Sequence, residues 1–452
     1  MHRVFVLAAT ALFLGGCLAT PTSLVPTPLD DVAGIIERQL TPKGGTASEV
    51  AIAANPKDPL NLVASANGAG GLPVYWTKDG GLNWTASVLP THRVGKPNGA
   101  PDTPARFLGL GDPSLAFGPD GSAYLAGLAI IPTSGVFVAK SRDGGETWPQ
   151  VTMVHESDLA ASFNDKEWVG VSPKGTVIVV WQKEPLLDSL RGVEGQTGLD
   201  VDVGDIVFCR STDGGLTWSL PMRVSRGLHN NGTQVVFTAD GRGHMLWVNY
   251  ETSTLDYVSS EDDGATWTTP KPIAAITYSG ALPRYNRMHT LPGLAASPTT
   301  GVLAATWHDA RNGDLDVYAV ASADGGRTWG EPVRVNDDEM KNGNHQMFPW
   351  VAVDHEDRIH VTFYDPRQNA TEPRFLFFHA SANDSKLVFG ENRPVSTHPF
   401  TAFSGSGPSG NTARSLGDYT GLAATRIGVF PVWADGRGNR SVVFSSRVPL
   451  DF

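Results

Sequence analysis

The stretch Ser322-Ala-Asp324-Gly-Gly326-Arg-Thr328-Trp329 decides the fold, because it is one of five copies of the same eight-residue motif. The other four copies begin at Thr77, Ser141, Ser211 and Ser260, and each ends in tryptophan, at Trp84, Trp148, Trp218 and Trp267. A decayed copy begins at Ser381-Ala-Asn383. The copies are spaced 49 to 70 residues apart, which is typical of a repeat architecture.

The chemistry of the motif predicts a tight turn between two strands. An Asp side chain can accept hydrogen bonds from nearby backbone N–H groups. The Gly permits a backbone angle that is closed to other residues, and the Trp can pack between neighbouring sheets. We therefore interpret the five motif aspartates as structural: Asp79, Asp143, Asp213, Asp262 and Asp324.

The residues around the fifth copy predict a four-stranded antiparallel sheet. Apolar runs at 293–297 and 302–307 are separated by a Pro-Thr-Thr-Gly turn, and an alternating run follows at 316–322. The motif then leads into a short fourth strand at 332–335. Sheets of the same form begin near Glu49, Asp112, Glu167, Gln234, Phe348 and Asp418.

The pattern thus predicts an all-β chain with seven four-stranded antiparallel blades. The seventh has strands near Gly421, Ile427 and Ser441 but no fourth strand after them. Residues 33–40 can supply that strand and close the ring, which removes exposed sheet edges. Six blades are the alternative, with the weak last unit folded into its neighbours.

The motif resembles the Asp box, or BNR repeat, of the sialidase superfamily, S/T-x-D-x-G-x-T-W. The resemblance covers about residues 48–447. It implies a β-propeller, with the box in the turn between the third and fourth strands of each blade. Sialidases have six blades, so a count of seven departs from that family.

Composition is consistent with many short strands and excludes some partners. The 452 residues include 50 glycines, and only 18% are charged. The formal net charge of −11 offers no basic face for a phosphate backbone. Nucleic acid is therefore not an expected partner.

The first residues predict export and anchoring. A short apolar run ends in Leu14-Gly-Gly-Cys17, which resembles a prokaryotic lipobox. The resemblance implies a signal peptide at 1–16, a lipid on Cys17, a tether at 17–32 and a propeller at 33–452. We expect an extracytoplasmic protein that contacts the membrane through its lipid anchor only. An ordinary secretory signal with a chance cysteine is the alternative.

Cys209 follows a strand pattern and is expected to be buried.

The mouth of the ring, opposite the boxes, is where we expect the functional site. In an up-and-down blade, the turns between strands 1 and 2 and between strands 3 and 4 share one face. Residues that precede the first strands lie on the other face, and there they combine polar with aromatic side chains, as a sugar site requires. The candidates are Asp112, Glu167, Trp168, Arg287, His345, Trp350, Arg414, Asp418 and Tyr419.

A second repeat follows three second strands, in a W-x-D-x-R-like pattern. Its arginines, Arg311, Arg367 and Arg437, could bind a substrate carboxylate by bidentate contacts. Each of them follows an Asp by two residues, so ion pairs that brace neighbouring blades are the alternative, and the repetition favours it.

No cofactor is expected. The stretch Asp200-Val-Asp202-Val-Gly-Asp205 could hold calcium, although it lacks the EF-hand spacing. A solvated acidic loop is the other interpretation.

The family resemblance implies a glycoside hydrolase of sialidase type. Tyr419-Thr-Gly-Leu422 is similar to the Tyr-Ser-x-Leu around the family nucleophile, so Tyr419 becomes the candidate nucleophile. Glu167 is then the candidate base, Asp112 the acid, and Arg287 and Arg414 the residues that fix an anionic substrate. No Phe/Tyr-Arg-Ile-Pro motif precedes the first box, and this motif carries an arginine of the family's carboxylate-binding triad.

Two alternatives remain open. The first is a non-catalytic propeller that binds a glycan or a cell-surface protein. The second is an assembly factor, like the Asp-box propellers that help to build photosystems.

Overall fold

The chain is almost entirely β-structure. The computed structural model describes residues 22–23, 34–94, 107–185, 204–277, 290–367, 374–401, 403–406, 412–415, 417–437 and 440–452. Within these ranges the single helical segment is a 3-10 turn at Thr91–Arg93. None of the described residues forms a helix of the length and hydrophobicity needed to cross a membrane.

Seven antiparallel sheets form the body of the molecule. Six of them contain four strands that follow one another in sequence, and the seventh combines three late strands with one early strand. We number them as blades 1 to 7 in chain order. Blade 1 contains β3 (Ala47–Asn55), β4 (Asp58–Gly68), β5 (Gly71–Thr77) and β6 (Thr85–Pro90). Blade 2 contains β7 (Gly109–Phe117), β8 (Ala123–Ile130), β9 (Thr133–Ser141) and β10 (Gln150–Asp158). Blade 3 contains β11 (Ser162–Val171), β12 (Val177–Pro185), β13 (Asp205–Ser211) and β14 (Met222–Arg223).

The next three blades repeat this order. Blade 4 contains β15 (Asn230–Phe237), β16 (Gly243–Asn249), β17 (Thr254–Ser260) and β18 (Lys271–Ala275). Blade 5 contains β19 (Gly293–Ala296), β20 (Leu303–Asp309), β21 (Asp316–Ser322) and β22 (Val333–Arg334). Blade 6 contains β23 (Met347–Val353), β24 (Ile359–Asp365), β25 (Arg374–Ala382) and β26 (Arg393–Pro394).

Blade 7 joins the two ends of the described chain. It contains β30 (Gly421–Thr425), β31 (Gly428–Asp435), β32 (Val442–Arg447) and, as its outer strand, β2 (Ile36–Gln39). Ile36 lies opposite Arg447 and Gln39 opposite Phe444. The predicted seven blades and the predicted closure by residues 33–40 are both confirmed, and the six-blade alternative is wrong.

Four short strands lie outside this scheme. They are β1 (Thr22–Ser23), which pairs with β6, β27 (Phe400–Thr401), which pairs with β25, and the hairpin of β28 (Phe403–Ser406) and β29 (Thr412–Ser415).

The five boxes form the turns between the third and fourth strands of blades 1 to 5. In every copy, the Asp Oδ1 accepts a hydrogen bond from the backbone N–H four residues later, at 2.8–2.9 Å. The Ser or Thr hydroxyl at the start of the box accepts a bond from the N–H of the Gly four residues later, at 2.9–3.2 Å. Through these bonds the carboxylates contact the backbone of the turns.

The core lies between the blades. The second strands of four blades bury a tryptophan completely, and each indole N–H has an acceptor: Trp181 on Asn164, Trp247 on Asn230, Trp307 on Asp309 and Trp433 on Asp435. Cys209, in β13 of blade 3, is buried in the same core cluster as Trp181, as expected for a small apolar residue.

Candidate functional site

A β-bulge interrupts the first strand of five blades, near the end at which the strand begins. Each bulge contains one residue with positive φ: Glu49 at 52°, Asp112 at 50°, Lys166 at 53°, Gly232 at 64° and Phe348 at 50°. Four of the five are not glycine, although this region is strained for other residues. Strained bulges of this kind concentrate at functional sites. All five lie at the mouth, because the opposite ends of these strands share a face with the boxes.

Lys166 ties together three blades at the centre of the ring. Its Nζ lies 3.0 Å from Asp112 Oδ2 in blade 2 and 2.9 Å from Asp418 Oδ2 at the entry of blade 7. Asp165 is a third carboxylate, at 4.0 Å. The lysine side chain is only 6% exposed, so these pairs are shielded from solvent.

Blade 1 contributes two more polar groups to this cluster. Asn67 donates a hydrogen bond to Glu49, and its amide also donates to Asp112 Oδ1 at 3.1 Å. Asn67 Oδ1 accepts the backbone N–H of Asp112 at 2.6 Å. Asn67 therefore fixes both the bulge and the carboxylate of Asp112.

Beside this cluster lies a small cavity of about 20 Å³. Its walls include Lys166, Glu167 and Trp168 of blade 3, Thr233 of blade 4, Trp350 of blade 6 and Tyr419 ahead of blade 7. The ring centroids of Trp168 and Trp350 are 5.1 Å apart, and each is 6.2 Å from that of Tyr419. Aromatic surface and a few polar groups are what a sugar site needs.

Two polar side chains in the cavity wall lack hydrogen-bond partners among the described residues. Glu167 is 1% exposed, and neither carboxyl oxygen has a partner. Thr233 is 2% exposed, and its hydroxyl is also without one. Glu167 and Thr233 occupy equivalent bulge positions in adjacent blades. Buried polar groups without a partner are costly, so they indicate a ligand-binding position.

The pKa values of the two predicted catalytic carboxyls shift in opposite directions. Burial, with the nearby Asp112 carboxylate, raises the pKa of Glu167 well above its ordinary value. Burial also acts to raise the pKa of Asp112, but the Lys166 ammonium and hydrogen bonds from its neighbours lower it overall. Burial thus favours the neutral form of Glu167, whereas Lys166 favours the ionised form of Asp112.

Tyr419 is surrounded by negative charge. Burial, followed by Asp112 and Glu49, raises the pKa of its phenol well above 10. Lys166 Nζ lies 6.0 Å from the ring centroid and only partly offsets this effect. A phenol with a raised pKa needs a base to take its proton before it can act as a nucleophile.

The structure brings together six of the nine residues that the sequence predicted at the mouth. Asp112, Glu167, Trp168, Trp350, Asp418 and Tyr419 form the cluster and the cavity wall. Sequence reasoning missed Glu49, Asn67, Lys166 and Thr233 as site residues. For Glu49, Lys166 and Thr233 the signal is their shared position at the entry of first strands, whereas Asn67 lies near the end of β4.

The three arginines of the second repeat do not line the cavity. Arg311 pairs with Asp309 at 2.9 Å and donates to the Ala275 carbonyl of the preceding blade at 2.8 Å. Arg367 pairs with Asp365 and with Asp337, and Arg437 pairs with Asp435 and with Glu37. Their contacts match the alternative of ion pairs that brace blades, and the prediction that they bind substrate has no support.

The remaining candidates lie elsewhere or outside the described residues. The Nδ1 of His345 accepts the backbone N–H of Leu315 at 3.1 Å, away from the cavity wall. Arg287, the side chain of Arg414, and Cys17 are outside the described residues, as are positions 200–203 of the predicted calcium loop. The described residues contain no group of three or more His, Cys, Asp or Glu side chains arranged to hold a metal ion.

Comparisons with known proteins find similar solved structures at low sequence identity. No family model matches the chain. No curated protein matches it. A protein of unknown function from Dyadobacter fermentans is 15% identical, with 77% of this chain and 99% of the other covered and a TM-score of 0.47.

Sialidases and trans-sialidases are among the similar structures. The Hadza microbial sialidase Hz136 is 15% identical over 86% of this chain and 73% of its own, with a TM-score of 0.47. The intramolecular trans-sialidase from Ruminococcus gnavus is 12% identical over 76% and 95%, with a TM-score of 0.48. Similarity at this level assigns no activity to this chain.

Proposed function

We propose that this chain is a glycan-acting propeller enzyme, a glycoside hydrolase in which Glu167 is the proton donor. The observation that carries the proposal is the buried Glu167 carboxyl, without a described partner, in a cavity walled by Trp168, Trp350 and Tyr419. Aromatic rings can stack on a sugar ring, and a protonated carboxyl can donate to the glycosidic oxygen as the bond breaks.

The charges around Asp112 and Glu167 favour the opposite assignment of acid and base from the one expected from the sequence. The family resemblance made Asp112 the acid and Glu167 the base, but Lys166 pairs with Asp112 and helps to lower its pKa, whereas burial raises the pKa of Glu167. A general acid must carry a proton at the working pH. We assign the acid role to Glu167 and the role of holding Lys166 to Asp112 and Asp418.

The environment of Tyr419 does not favour its predicted role as nucleophile. Its neutral phenol, in the wall beside Glu167, is suited to donate a hydrogen bond to the sugar. On this assignment, Tyr419→Phe loses one hydrogen bond and about tenfold in kcat/KM. A loss of about a thousandfold or more would restore Tyr419 as the nucleophile.

A panel of chromogenic glycosides, with sialosides included, tests the enzyme proposal. We expect hydrolysis of at least one glycoside by the parent protein, and a loss of about 10²- to 10⁴-fold in Glu167→Gln. Asp324→Ala is a matched control, since the box lies on the opposite face, and its activity per folded molecule should match the parent. Binding of glycans without turnover would favour the non-catalytic alternative.

We also propose that the protein is extracytoplasmic and anchored by a lipid on Cys17. The support is the lipobox-like Leu14-Gly-Gly-Cys17. Acyl chains give membrane affinity in proportion to their buried CH₂ groups. A Cys17→Ala variant that stays as membrane-bound as the parent would refute the anchor.

A further inference from the structure

We propose that an open cavity between the third and fourth boxes binds the sugar units of a neutral glycan, as a second glycan site on the face opposite the mouth. The proposal goes beyond the enzyme function, because it uses none of the residues around Glu167.

The cavity has a volume of about 360 Å³, opens to solvent, and lies where the third box, in blade 3, meets the fourth box, in blade 4. Its walls include Arg210 of β13, Thr217 and Trp218 of the third box, Met222 of β14 and Ala265 of the fourth box. Small-molecule sites in proteins have volumes of about 300–1,000 Å³. The cavity is therefore large enough for a sugar unit.

The fourth box departs from the other four at one position. Asp263 stands where they have glycine, namely Gly80, Gly144, Gly214 and Gly325. Its φ is 62°, close to the 69–80° of those glycines. Glycine adopts this region freely, whereas a residue with a side chain is strained there, and strained residues concentrate at functional sites.

The strained aspartate holds an arginine in the cavity wall. Arg210 Nε donates to the Asp263 carbonyl at 3.0 Å, and Arg210 Nη2 donates to Asp263 Oδ2 at 3.3 Å. At the next box, Arg242 donates to the carbonyl of Gly325 at 3.1 Å, where the box position has no carboxylate. Contact between an arginine and this carbonyl thus does not require the aspartate, so its carboxylate has the further effect of orienting Arg210.

The wall offers the donors and acceptors that sugar hydroxyls need. Nη1 of Arg210 has no partner among the described residues and is available as a donor. The Thr217 hydroxyl donates to Asp213 at 2.5 Å, which leaves its oxygen available as an acceptor. Trp218 adds an aromatic surface of the kind on which sugar rings pack.

The charges around the cavity favour a neutral ligand. Arg210 is the one cation among the described wall residues, and it pairs with Asp263. Asp213 adds a further carboxylate beside Thr217. An anionic glycan would therefore find no uncompensated cation in the described wall.

Calorimetric titration of the full-length protein tests the proposal. The probes are maltohexaose, cellohexaose, xylohexaose and mannohexaose, with 3′-sialyllactose as the anionic probe. We expect at least one neutral hexasaccharide to bind about tenfold or more tightly than 3′-sialyllactose. Its affinity for Glu167→Gln should equal its affinity for the parent, because Glu167 lies on the other face.

Thr212→Arg blocks the cavity. Thr212 is an exposed wall residue, and the second box has Arg142 at the same position, so the turn accepts arginine. We expect this variant to bind the hexasaccharide about tenfold or more weakly. Ala323→Arg makes the same change in the fifth box, and it should bind as the parent does.

Asp263→Gly restores the glycine of the other boxes and removes the carboxylate that orients Arg210. The hexasaccharide should bind severalfold more weakly although the variant still melts cooperatively. Unchanged binding would contradict the role of Asp263 as a positioning residue.

Absence of binding by all four neutral hexasaccharides would overturn the second site, and equal binding of 3′-sialyllactose would overturn its selection for neutral ligands. Binding that disappears in Glu167→Gln but survives in Thr212→Arg would locate the ligand at the mouth, which overturns the second site and leaves the proposed function standing. Absence of glycoside hydrolysis with this binding intact would remove the enzyme and keep the second site.

Discussion

At the scale of single residues, we expect the Lys166 ammonium to stabilise the buried carboxylates at the centre of the ring. Replacing it with methionine leaves Asp112 and Asp418 buried and uncompensated. We expect Lys166→Met to lower the free energy of unfolding by about 3–5 kcal/mol. Lys78→Met is the matched control, because the Lys78–Glu146 pair is exposed and should contribute little.

The loss in Lys166→Met should depend on pH. Without the ammonium, burial acts to raise the pKa of Asp112 in the folded state and its largest opposing cause is gone, so the neutral acid is tolerated better than the carboxylate. The deficit should be largest near pH 7 and shrink as pH falls towards 4. Urea unfolding of parent and variant at both pH values measures it, and a deficit that does not change with pH would contradict the ion-pair interpretation.

For Glu167, we expect the stability of the parent relative to its Gln variant to fall as pH rises. Its folded pKa is raised above its ordinary value of 4.5, so its contribution to stability is complete below that pH. The contribution is lost as pH rises through the folded pKa. Relative to Glu167→Gln, which cannot titrate, the parent should lose stability as pH rises from 4.5 through the raised folded pKa. A constant difference in the free energy of unfolding across this range would show that Glu167 is not held protonated.

At the scale of elements, the second glycine of the fifth box is set by packing as well as by its turn. Gly326 has a φ of 76°, and a Cβ there would overlap the hydroxyl of Tyr257 in the preceding blade. Tyr257 is fixed by a 2.6 Å hydrogen bond to His244, so it cannot move aside freely. The box therefore acts as a close contact between blades.

Comparison of two alanine variants separates the two causes. Gly343 has a similar φ of 81° but nothing within 4 Å of its Cβ position. We expect Gly343→Ala to cost about 1–2 kcal/mol for the backbone angle alone, and Gly326→Ala to cost about 1–3 kcal/mol more for the overlap. Chemical denaturation measures both, and equal losses would mean that the contact with Tyr257 does not limit the position.

The boxes and strands could be predicted from sequence because their signals are local. Eight residues specify a turn, and alternation specifies the strands on either side. The bulges could not, since Asp112 and Lys166 are ordinary polar residues in a strand pattern until their positive φ is seen. The bond from Lys166 to Asp418 spans 252 residues of sequence and exists only in the closed ring. Local patterns thus located six site residues at the mouth but not the lysine that joins them.

At the scale of the whole molecule, β2 makes the ring continuous. Its pairing with β32 covers an edge of blade 7, and Glu37 in this strand pairs with Arg437 at 2.7 Å and accepts the backbone N–H of Thr397 at 2.6 Å. The strand therefore connects blades 6 and 7 as well as the two ends of the propeller.

Two truncations test this role of β2. Removal of residues 1–33 keeps the strand, whereas removal of residues 1–40 deletes it and exposes the edge of β32. We expect the shorter protein to melt at a lower temperature and to self-associate, because exposed strand edges pair with other chains. Size-exclusion chromatography and thermal melting compare the two, and identical behaviour would contradict the closure argument.

The most direct measurement is the dependence of the Glu167→Gln defect on the leaving group. A proton donor matters most for glycosides whose leaving group is a poor one, and little for dinitrophenyl glycosides, which leave as stable anions. On a glycoside that the parent hydrolyses, we predict a loss in kcat/KM of about 10²- to 10⁴-fold with a poor leaving group, and about tenfold or less with dinitrophenyl. Equal losses with both leaving groups would contradict the assignment of Glu167 as the proton donor.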